Sequence, residues 1–71
     1  MRPIYEIAKE IEQDWDKVHF AARPYLRAMH SLDKITDYYG ADSAVEILLY
    51  FGVNAKSWRG PVARRIKLEI K

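Results

Sequence analysis

Between Ala44 and Ala55 the sequence carries a single charged side chain, Glu46. A segment of that length, apolar almost all round, predicts a helix with neighbours on several sides. Asp42 or Ser43 supplies the side-chain oxygen that caps its first turn. Gly52 lets one neighbour approach closely, at a cost of about 1 kcal/mol relative to alanine in a helix interior.

The rest of the chain reads as the covering for that helix. Pro3 suits a first helical position, and Ile4, Ile7, Ala8, Ile11, Trp15 and Val18 follow at helical spacing, one core-facing stripe. The other faces of this first helix carry Glu6, Glu10, Glu12, Asp14 and Asp16 against Lys9 and Lys17. Pro24 fits inside the first turn of a second helix running from about Ala21 to Leu32, with Ala22, Tyr25, Met29 and Leu32 on one side. Residues 33–42 form a connection in which Thr36 caps one short turn, Gly40 ends it, and Ile35, Tyr38 and Tyr39 pin it to the core. Asn54, Ser57 and Gly60-Pro61 punctuate the chain before a fourth segment that places Val62, Ala63, Ile66 and Ile70 inward. Ile66, Leu68 and Ile70 also alternate with Lys67, Glu69 and Lys71, the period of a strand. Helix is preferred there, because no other segment offers a partner strand. The expected fold is all-α: a single domain of 71 residues, a compact bundle of about four helices.

Composition narrows the function classes. With 49% apolar residues, 31% charged and few breakers, the chain is too hydrophobic to be disordered. The absence of cysteine removes disulfides, thiolate zinc sites and cysteine nucleophiles, and suits a cytoplasmic location. The longest apolar run, Ile47 to Val53, is far short of the roughly 20 residues a membrane span needs, and no signal peptide is legible. His19 and His30 lack the spacing of a helical zinc pair, and Asp14, Asp16 and His19 fit a helix end better than a metal site. No phosphate loop or nucleophile elbow is present. The expectation is a protein that is not an enzyme, with no cofactor, no metal and no small-molecule substrate.

Charge is distributed unevenly behind the net +2. Residues 56–71 hold six basic side chains, Lys56, Arg59, Arg64, Arg65, Lys67 and Lys71, against Glu69 alone. On a helical wheel Arg64, Lys67 and Lys71 form a row opposite Val62, Ile66 and Ile70, with Arg65 at its edge and Leu68 beside it. Two binding readings follow. In the first, Trp58, Arg59, Arg65 and Leu68 contact another protein or a second copy of the chain, since indole and guanidinium favour interface centres. For Trp58 taken alone the preferred alternative is closure of the core, with Arg59 covering its edge. In the second, Lys56, Arg64, Lys67 and Lys71 track nucleic-acid phosphates; the row also suits a plain solvated face. A helix-turn-helix cadence at Ser31 to Ser43 is disfavoured, because the following helix offers Asp42, Glu46 and hydrocarbon to a polyanion.

The segments Arg2 to Ala8, Ile35 to Gly40, Asp42-Ser43, Leu49-Tyr50-Phe51, Asn54-Ala55, Ser57 to Gly60 and Ala63 to Lys67 together resemble short, uncharacterised all-helical proteins of Gram-positive bacteria and their mobile elements. The resemblance runs over nearly the whole chain and implies a helical fold. It implies no activity and no cofactor. Pro61 departs from the acidic residue of that pattern, which bears on where the last helix starts.

Overall fold

The computed structural model describes residues 2–70. In chain order it contains α1 (Ile4–Asp14), α2 (Arg23–Met29), β1 (Tyr38–Tyr39), β2 (Asp42–Ser43), α3 (Ala44–Val53) and α4 (Pro61–Glu69). The fold is therefore mostly helical but not purely so, and the all-α expectation is corrected by the hairpin. No helix among the described residues is long and apolar enough to cross a membrane.

Local chemistry sets most boundaries. Pro3 sits one residue outside α1, extended at ψ 135°, and its carbonyl accepts from Glu6 and Ile7. The next two amides find partners elsewhere in the chain: Ile4 N–H donates to the Asp33 carbonyl and Tyr5 N–H to that of Leu32, both at 2.9 Å. Two of the four orphan donors of a helix start are thus satisfied by the segment leaving α2, which ties those ends together. α2 is shorter than predicted. Past Met29 the amides of His30, Ser31 and Leu32 bond three residues back, a tightened exit that still delivers Leu32 to the interior.

The connection after α2 departs furthest from expectation. The Asp37 carboxylate, rather than Thr36, organises the turn by accepting from the Asp33 and Lys34 amides at 3.0 and 2.9 Å, and these bonds hold its pKa below the usual carboxylate value. Gly40 does not end a helical turn. It occupies φ +63° at the first position of a two-residue connection between β1 and β2, where Tyr38 pairs with Ser43 and Tyr39 with Asp42. Ala41 is not in the positive region, so only the first residue has positive φ, as in a type II′ turn. Ile35, Tyr38 and Tyr39 are exposed and do not pin the connection to the core.

Ser43 caps α3 through a complete capping box: its Oγ accepts from the Glu46 amide at 3.2 Å, and Glu46 Oε1 accepts from the Ser43 amide. Gly60, at φ +116°, turns the chain into α4, with Pro61 at the first helical position. The last segment is helix through Glu69, which settles the helix-or-strand ambiguity for the described residues.

The core gathers Ile4, Ile7 and Ile11 of α1, Leu26 and Met29 of α2, Ile47, Leu48 and Phe51 of α3, and Ile66 of α4. Trp15 and Trp58 stack at its end, 5.7 Å between ring centroids and 13° between planes, and Phe51 meets both edge-on. Among the helices, α2 packs on α3 and α1 on α4 and α2. The prediction that α3 is wrapped on several sides fails. Ala44, Ile47, Leu48 and Phe51 face the core, while Val45, Leu49, Tyr50 and Val53 remain exposed.

Candidate functional site

The side of α3 turned away from the core is its most unusual surface. Val45, Leu49 and Val53 recur at four-residue spacing, so one helical face carries all three. They are 55%, 61% and 56% exposed. Beside them Gly52, Leu48, Lys67 and Ile70 complete a shallow groove of about 430 Å³ between α3 and the end of α4. Its lining is hydrocarbon apart from Lys67. Single exposed aliphatics are ordinary on a protein surface, but three in register on one helix are an unpartnered stripe.

Gly52 stands inside this stripe without a conformational reason. It has no positive φ, and a Cβ built on it meets nothing within 4 Å. A glycine that needs neither left-handed backbone nor space within its own chain gives up about 1 kcal/mol of helix propensity relative to alanine.

The residues singled out by composition are dispersed by the fold. Trp58 is 2% exposed, its indole N–H donates to Asp14 Oδ2 at 2.8 Å, and its ring lies against Trp15. It closes the core and presents no recognition surface, which corrects its assignment as an outward contact. Arg65 is drawn to α1, where it donates to Glu10. Arg2 makes a two-pronged bond to Glu69, at 2.9 and 2.8 Å, and also lies 2.9 Å from Glu10. These four side chains lace α4 to the chain around α1. The Arg65 bond, foremost, holds the Glu10 carboxyl below its usual pKa, and the Arg2 bond does the same for Glu69. Leu68 stays exposed on the outer side of α4.

Of the basic row, Lys67 is half-buried, lies over the Trp58 ring and donates to the Trp58 carbonyl at 2.6 Å. Burial, then the charge of Arg59, holds its pKa below the usual lysine value. Arg59, Arg64 and Lys67 line one cleft of about 300 Å³ at the start of α4. Lys56 lines a different one with His19, Val53 and Asn54. Lys71 lies outside the described residues. Among the described residues no group of three His, Asp or Glu side chains stands close enough to hold a metal ion.

The stripe of Val45, Leu49 and Val53 was missed because the apolar run around it reads as all-round burial. Its signal was nevertheless present: spacing of four within a helix that already has a complete inward face. What the geometry defines is a small, mostly helical globule with one bare apolar helix face. Comparison with protein-family models, with curated proteins and with solved structures finds no match to the chain.

Proposed function

We propose that this protein is a small non-enzymatic binding module, working in the cytoplasm, whose contact surface is the outward face of α3. The observation that carries this reading is the in-register exposure of Val45, Leu49 and Val53 beside an apolar groove. Full burial of such a side chain is worth about 1.5–3 kcal/mol, so each, being more than half exposed, leaves roughly 1 kcal/mol for a partner to recover. The partner it suits is another polypeptide offering an apolar helix face. The test is a photo-crosslinking residue in place of Leu49, activated in living cells. Polypeptide adducts that disappear with Val45→Asp and Val53→Asp, and that are absent when the same residue replaces exposed Glu12, are expected. Adducts no more abundant at 49 than at 12 refute the reading.

A second reading, contact with nucleic acid, rests on the convergence of Arg59, Arg64 and Lys67 on one cleft. Lys67 has an internal partner, so two arginines carry most of this reading. It expects duplex or single-stranded binding whose log-log salt slope is about −0.9 per neutralised phosphate, hence roughly −2. Retention of that slope after Arg59→Glu and Arg64→Glu disproves it.

A further inference from the structure

From the charge pattern along α3 and from Gly52, we infer that the occupant of this face is a second copy of the chain, docked α3 against α3 in antiparallel sense; the inference rests on the binding-module reading above. The chain is acidic where α3 begins, with Asp42 and Glu46, and basic just past its end, with Lys56, whose cleft also contains Val53 of the outward face. All three are exposed. A parallel pairing would set like charges side by side. An antiparallel one sets each acidic end against the other copy's basic end and opposes the two helix dipoles favourably.

The register is the one that pairs Glu46 with Lys56. A two-fold axis level with position 51 brings Leu49 of each copy opposite Val53 of the other, and Glu46 opposite Lys56, because both pairs are symmetric about that position. Glu46 spends Oε1 on the capping box, and Oε2 is left to meet the lysine. Gly52 lies one residue from the axis. Within its own chain nothing occupies the space over its Cα, so a glycine there serves close approach of a second backbone.

A ten-residue helix is about 15 Å long, so the contact is at the small end of specific interfaces. The expected dimer is reversible, with a dissociation constant of about 0.1 mM, loosened by salt because its charged pairs are at the rim.

Sedimentation equilibrium of the purified chain from about 10 µM to 1 mM, a range spanning that constant, tests the proposal. The expected result is a weight-average mass rising from 8.4 kDa toward twice that value. Leu49→Asp and Gly52→Gln, each retaining the wild-type circular dichroism, weaken association at least about tenfold. Lys56→Glu weakens it too, and Glu46→Lys added to Lys56→Glu restores it toward wild type. A monomer throughout the range overturns the proposal, as does self-association unaltered by both Leu49→Asp and Gly52→Gln. The two readings fail separately. Crosslinks from position 49 to a different polypeptide, with the purified chain monomeric, sink the dimer and leave the binding face; loss of all specific crosslinks together with a monomeric purified chain sinks both.

Discussion

The bond from the Trp58 indole to Asp14 joins the end of α1 to the turn before α4, and its removal has a calculable effect. Asp14→Ala deletes the acceptor for an N–H on a side chain that is 2% exposed. A buried donor left unpaired costs about 1–3 kcal/mol. Asp14 itself is exposed, so water can reach the vacated position, and the lower half of that range applies. Alanine's better helix propensity at the last residue of α1 returns about 0.5 kcal/mol, leaving a net loss near 1 kcal/mol. For a domain of this size that corresponds to a fall in Tm of about 4–8 °C. Asp14→Asn removes the same charge as alanine does but preserves an acceptor, so it stays within about 0.5 kcal/mol of wild type. In a Trp58→Phe background Asp14→Ala has no further cost, since the donor is already gone. Thermal unfolding followed by circular dichroism in the four chains of this cycle is the assay. An Asp14→Ala chain melting within about 2 °C of wild type, or an equal loss in the Trp58→Phe background, refutes the reasoning.

Trp58→Ala removes the ring that stacks on Trp15 and meets Phe51; it costs about 3–5 kcal/mol, a large part of the roughly 4–10 kcal/mol expected for a chain this short, and urea titration should show the unfolding midpoint lowered by about half. Ser43→Ala breaks the capping box of α3 and lowers the urea-derived stability by about 1 kcal/mol, whereas Thr36→Ala, at the residue first assigned a cap, leaves it unchanged. Glu10 and Glu69 titrate lower when folded than their ordinary value of 4.5, through bonds to Arg65 and Arg2 respectively. The stability they confer is therefore present above pH 4.5 and is lost as pH falls through their folded values; a Tm that holds steady down to pH 4 and below contradicts this, and Glu69→Gln flattens the acid limb.

What the amino-acid sequence determined by itself was the set of features decided within a few residues. The stripe of Ile4, Ile7, Ala8 and Ile11, a cap at Asp42 or Ser43, and the Gly60-Pro61 start of α4 were legible because capping, proline geometry and side-chain period act over one or two turns. The hairpin was not. Gly40 signals positive φ equally well at a helix end and in a two-residue β-turn, and only the pairing of Tyr38 with Ser43 distinguishes them. Tertiary structure alone decided which apolar groups are covered. Trp58 went inside because Trp15, 43 positions earlier in the chain, arrived beside it, and Arg65, at the edge of the basic row, is held against α1 because Glu10 stands across from it. Leu49 stayed outside for the complementary reason: α2 packs against the inner side of α3 while α1 and α4 pack against each other, and so small a chain has too little surface left over to cover the outer side as well.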